Sequence, residues 1–80
     1  MKTQQTIREL FKNDKEFNYQ EDLKAEDNLV EKGVMDSFGM ITLVTLLEKQ
    51  FSIRILPEEM IEENFTSIKS ITDFIERKTA

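Results

Sequence analysis

The clearest hydrophobic run in this chain is Met40, Leu43, Val44, Leu47 and Phe51, spaced i, i+3, i+4, i+7 and i+11. That spacing draws one buried stripe along a helix predicted from Ser37 to about Gln50. Asp36 stands just before it as the expected N-cap, its carboxylate able to accept backbone N–H groups one turn in. Toward the N-terminus, Ile7, Leu10 and Phe11 mark a narrower apolar face, with Thr3 or Thr6 near its start, and predict a helix over about residues 3–16. At the far end Ile68, Ile71, Phe74 and Ile75 repeat at i, i+3, i+6 and i+7 behind a cap of Thr66 or Ser67. Arg77 and Lys78 fall where the negative end of that helix's macrodipole favours cations.

Between these segments the period breaks. From Asn18 to Met35 the chain reads as a loop, with Tyr19, Leu23, Leu29, Val30 and Val34 as apolar anchors and Gly33 supplying a turn. A loop of that length inside a compact domain is usually functional, and regular anchors argue against a free linker. Ser52 to Leu56 alternates briefly, but with no partner strand elsewhere an extended connection is expected. Pro57 then opens a short acidic helix through Met60 and Ile61. There is no internal repeat and no composition shift, so residues 1–80 are expected to form a single all-α domain of three substantial helices and one short one.

Composition narrows the function. Eighty residues without a cysteine must hold together by packing alone. Hydrophobic residues at 39% and charged residues at 34% allow a core and a solvated exterior, which argues against disorder. A net charge of −5 lacks the basic footprint that nucleic acid demands and points to basic partners. No apolar run reaches membrane-span length and no signal-peptide core follows Met1, so neither membrane insertion nor export is expected; the cytoplasm is the expected compartment. With neither His nor Cys, triads, thiolate nucleophiles and ordinary zinc sites are excluded, and no resident metal is expected. Glu21, Asp22, Glu26 and Asp27 lack the alternation of a calcium loop and read as solvation.

The informative segment is Asp36-Ser37-Phe38-Gly39. Ser37 sits at the first position of the central helix, where backbone N–H groups and the helix dipole favour a bound or attached phosphate. The plain alternative is that Asp-Ser merely caps the helix. On the side away from the buried stripe, a turn of about 100° per residue groups Phe38, Ile41, Thr42, Thr45 and Lys49. Two large apolar residues are thereby left facing outward beside the serine, a pattern that often marks a docking surface.

These residues resemble the phosphopantetheine carrier proteins, a family that includes acyl, peptidyl and D-alanyl carrier proteins. The likeness runs through Asp27-Asn28-Leu29 and Gly33-Val34-Met35-Asp36-Ser37-Phe38-Gly39, then Leu43, Val44, Leu47, Glu48 and Phe51. It continues with Ile53, Ile55 and Pro57 and ends at Thr66-Ser67-Ile68, covering about residues 23–77. The resemblance implies an acyl-carrier-like four-helix bundle with a short third helix and a long loop between the first two. It implies 4'-phosphopantetheine attached covalently to Ser37 by a magnesium-requiring phosphopantetheinyl transferase, with the cargo held as a thioester on the arm. By the same likeness Asp36, Phe38, Ile41 and Thr45 fall where partner enzymes touch, and the protein is expected to act as a monomer. It is not itself an enzyme in this reading: the chain supplies no base for Ser37, which is a substrate of another enzyme.

One departure bears on pathway. Fatty-acid carriers usually line this helix with carboxylates, whereas here Gly39, Thr42, Thr45 and Lys49 leave Glu48 nearly alone. Glu58, Glu59, Glu62 and Glu63 crowd the short helix instead, as a solvated face or as a recognition element. Asp-Ser-Phe-Gly is closest to carriers of the D-alanyl and peptidyl type, so acyl- or aminoacyl-loading enzymes of a specialised pathway are the expected partners. A carrier for fatty-acid synthesis is the alternative. An unmodified helical adaptor that binds partners through Phe38 and Ile41 is the competing class, and a small carboxylate hydrolase is disfavoured for want of a pocket.

Overall fold

A computed structural model describes residues 2–80. It contains α1 (Lys2–Asn13), α2 (Ser37–Phe51), a 3-10 turn (Pro57–Glu59), α3 (Glu62–Phe65) and α4 (Ile68–Thr79), with no strand among the described residues. This is the expected acyl-carrier-like helical bundle with a short third helix. Both α1 and α3 pack on α4. Ile7 and Phe11 from α1, Leu43, Val44 and Leu47 from α2, and Ile68, Ile71, Phe74 and Ile75 from α4 meet in one buried cluster. The predicted α2 stripe is that inner face, with Met40 and Phe51 half-buried at its two ends.

The long connection is part of this core. Leu23, Leu29 and Val34 are buried as expected, and Phe17 and Met35, which the period did not single out, join them. Val30 corrects the expectation: it is 60% exposed. It sits in the turn closed by the Gly33 N–H donating to the Val30 carbonyl at 3.0 Å, with Gly33 at φ +73°, and the backbone turns its side chain outward while Leu29 goes in. Leu29 is also a junction, since its N–H donates to the Thr66 carbonyl at 2.8 Å, while the Lys69 N–H donates to the Ala25 carbonyl at 2.8 Å. Arg8 reaches from α1 to the Leu23 carbonyl at 2.9 Å and to the Tyr19 hydroxyl at 3.2 Å.

Two predicted boundaries move. α1 stops at Asn13, short of residue 16, because the Asp14 carboxylate accepts the Glu16 N–H at 2.8 Å and the Asp14 carbonyl accepts the Phe17 N–H at 3.2 Å. That local turn competes with helix and aims Phe17 at Phe11, the two rings meeting edge to face at 4.7 Å. The acidic helix expected through Met60 and Ile61 breaks at those two residues: Ile61 is extended (φ −105°, ψ 152°) and α3 begins after it. The break lets Phe65 turn into the core against Phe74. Residues 53–56 form the expected connection, neither helix nor strand, while Ser52 departs from it, lying in the left-handed region and closing α2.

Candidate functional site

Ser37 is the first residue of α2 and is exposed. Asp36 caps the helix, its carboxylate accepting the Gly39 N–H at 2.8 Å, and the Asp36 carbonyl accepts the Met40 N–H at 3.2 Å. The remaining first-turn amides, those of Ser37 and Phe38, find no protein acceptor among the described residues. They are the pair a phosphate oxygen on the serine can use.

Gly39 explains why the serine stands clear of the interior. A Cβ at Gly39 would lie 3.1 Å from the Met35 Cβ and 3.4 Å from the Phe17 ring. The first turn of α2 therefore rests directly on the loop through its glycine side, and Ser37 and Phe38 are left on the side away from that contact.

A cleft of about 480 Å³ opens beside Ser37. Met35, Met40, Met60, Phe65 and Val30 give it apolar walls, and Glu31, Asp36 and Glu62 put carboxylates along it. Those charges disfavour a phosphate inside the cleft, so a phosphodiester on Ser37 belongs at the exposed helix end. The large hydrophobic residues left exposed among those described are Val30, Phe38, Ile41, Leu56, Met60 and Ile61. All of them come from the loop, the first half of α2, or residues 56–61, and Val30 and Met60 share the cleft with Ser37. None lies on α1 or α4.

The sequence-predicted contact residues are thus gathered on one side. Phe38 is 77% exposed and Ile41 61%, Thr45 is exposed one turn further on with its hydroxyl donating to the Ile41 carbonyl at 3.2 Å, and Asp36 stands at the cap. Val30 and Met60, which line the cleft with Ser37, complete the surface and were missed, because placing them beside Ser37 depends on the turn at Gly33 and the break at Met60–Ile61. Among the described residues no cluster of acidic side chains is arranged to hold a metal ion.

Comparison with known proteins matches residues 4–75 to the phosphopantetheine attachment site family. The chain belongs to this family. Its members carry 4'-phosphopantetheine covalently on a serine and act as carriers, not catalysts. Two D-alanyl carrier proteins, from Lactococcus lactis subsp. cremoris strains MG1363 and SK11, are each 34% identical over 61 residues, which cover 76% of this chain and 75% of theirs. No solved structure matches the chain. The residues present fit the carrier group: an exposed serine at a helix start, and beside it two amides without a protein acceptor among the described residues. When attached, the arm supplies the thiol that a carrier chain without cysteine lacks.

Proposed function

We propose that residues 1–80 form a single carrier domain of the D-alanyl type, in which Ser37 receives 4'-phosphopantetheine from coenzyme A through a phosphopantetheinyl transferase. An aminoacyl-adenylating enzyme then loads the arm, and later enzymes of a specialised pathway collect the cargo. The observation that carries the reading is the exposed Ser37 hydroxyl at the start of α2, backed by two unpaired amides and fixed by the Asp36 cap. No His stands anywhere in the chain to activate that hydroxyl, which suits a modification substrate. The D-alanyl relatives and the scarcity of carboxylates on the outer face of α2 favour this pathway over fatty-acid synthesis.

Partners dock on the surface around Ser37, with Asp36, Phe38, Ile41 and Thr45 on the α2 side. An apolar residue that is 77% exposed beside a modified serine is a binding anchor, because its burial by a partner removes that area from water. Among the described residues no helix is long and apolar enough to cross a membrane.

Incubating the apo protein with coenzyme A, magnesium and a broad-specificity transferase is expected to add one phosphopantetheine mass, and Ser37→Ala to abolish the addition. An unchanged wild-type mass with several transferases sinks the assignment. The holo protein is then expected to take up labelled D-alanine from an adenylating enzyme and ATP. Charging by a malonyl transferase alone would move it to fatty-acid synthesis. Phe38→Ala is expected to weaken loading about tenfold without altering the fold, the size of one anchor residue.

A further inference from the structure

The wall of the Ser37 cleft that comes from residues 60–66 has little burial of its own. Within Pro57–Phe65 only Phe65 is buried, while Met60 and Ile61 are exposed and Glu62 and Glu63 are solvated. Its position depends on a set of polar bonds that converge on Glu59. One carboxylate oxygen of Glu59, Oε1, accepts the Leu56 N–H at 2.9 Å and the Lys78 ammonium at 2.8 Å. The Glu59 carbonyl accepts from the Asn64 side-chain amide at 2.8 Å, and Arg77 donates to Asn64 Oδ1 at 3.4 Å. The short segment is thereby fastened at both ends to the last turn of α4.

This ion pair differs from the others. Its side chains are 21% and 25% exposed, against 50% to 77% for Lys12–Glu21 and Lys69–Asp73. Solvent screens it less, and the same oxygen is already held by a backbone N–H, so little side-chain freedom remains to be lost. The helix dipole accounts for a cation in the last turn of α4, but not for its bond to a residue beyond the core.

We propose that Glu59 and Lys78 are a positioning pair: they clamp the 57–65 segment to α4 and so set the cleft wall and the Met60 side of the docking surface around Ser37. Neither residue lines that cleft. The pair acts by raising the fraction of molecules in which both sides of the surface are in place when a partner arrives, and apparent affinity scales with that fraction. The role in docking rests on Ser37 being the attachment point.

The test compares Lys78→Met, which keeps the aliphatic stem and removes the charge, with Lys78→Arg, which keeps a cation there. Hydrogen exchange is read at the Glu59, Met60 and Asn64 amides, which donate to Leu56, Pro57 and Ile61 carbonyls. Lys78→Met is expected to speed exchange there about threefold to fivefold, the scale of one partly sheltered ion pair. Amides of Ile71 and Ile75 should not change. The KM of the apo protein for a broad-specificity transferase with coenzyme A should rise by the same factor at constant kcat, and Lys78→Arg should restore both values. Unchanged exchange, exchange accelerated evenly through every helix, or accelerated exchange with an unchanged KM each overturns the proposal. If the wild type accepts no arm, the Ser37 reading and the docking role fall together, while the exchange difference still decides whether the pair clamps the segment.

Discussion

Residues 14–36 and residues 52–67 both lead the chain past Ser37, yet the first is fastened by side chains in the core and the second largely by polar bonds at its surface. The first buries Phe17, Leu23, Leu29, Val34 and Met35. The second buries Ile55, Phe65 and Ser67, and leaves Leu56, Met60 and Ile61 exposed. Length misleads here: the longer connection is the firmer one, because firmness follows buried apolar contact and not chain length. A carrier that must offer one serine to several enzymes gains from this division. The loop and the Asp36 cap fix the start of α2, and the shorter segment is held beside it by the Glu59–Lys78 pair and the buried Phe65.

The most forceful way to break the comparison is to empty a loop anchor. Leu29 is fully buried, and Leu29→Ala is expected to cost about 2–5 kcal/mol, the range for a buried leucine. That is a large share of the roughly 5–10 kcal/mol that holds a domain of this size. Met60→Ala, across the cleft, is expected to change stability by less than about 0.5 kcal/mol. Urea denaturation of both variants decides it, and equal losses would show that the loop is no firmer than the segment opposite.

A smaller effect is expected at the contact between the loop and α2. Gly39→Ala gains helix propensity worth about 1 kcal/mol, but the new methyl meets Met35 Cβ at 3.1 Å and Phe17 at 3.4 Å. Met35 Cβ is tied to its backbone and cannot swing aside, so overpacking of about 1–3 kcal/mol outweighs the gain. A net loss near ~1 kcal/mol is expected by thermal unfolding. A stabilised variant would mean that the loop yields, contrary to its burial.

What the sequence made legible follows the same divide. The α2 stripe, the Asp36 cap, Ser37 at the helix start and the outward Phe38 and Ile41 all rest on helical period and cap chemistry, which are local. So does the α4 face, where Ser67 proves to be the cap, its hydroxyl accepting the Ser70 N–H at 3.1 Å. Phe17 and Met35 escaped because their burial depends on contacts with Phe11 and Gly39, which no period encodes. Val30 was misplaced because one turn at Gly33 decides which of two adjacent apolar residues goes inward. The helix break at Met60–Ile61 is long-range in origin, tied to Phe65 against Phe74 and to Asn64 beneath Glu59. The cleft beside Ser37 is assembled from those same nonlocal features, so its far side was illegible while the serine itself was not.

The Asp36 cap allows charge and hydrogen bonding to be separated. Asp36→Ala removes the acceptor for Gly39 and is expected to cost about 1 kcal/mol, whereas Asp36→Asn keeps an oxygen there and should cost only a few tenths. If the two variants are equally destabilised in urea, the cap is not what holds the start of α2. If Asp36→Asn keeps its stability yet takes up phosphopantetheine more slowly, the carboxylate serves the transferase as well as the helix.

The smallest expected effect concerns acid. The Lys78 ammonium bonded to Glu59, helped by the Leu56 N–H, holds that carboxyl below the usual glutamate value of about 4.3. A depressed folded value means that the stabilising contribution is complete above the unfolded value and fades as pH falls through the folded one. The segment is therefore fully fastened at neutral pH and loosens only well into acid. Arg77 and Glu58 share the surface hollow with this pair. Exchange at the Met60 amide, taken relative to the Val34 amide that donates to Leu29 within the loop at 2.9 Å, is expected to rise modestly as pH falls below the ordinary glutamate range. Glu59→Gln should remove that pH dependence by loosening the segment at every pH. A ratio that stays flat in the wild type would show that burial of Phe65, and not the ion pair, holds this side of the cleft.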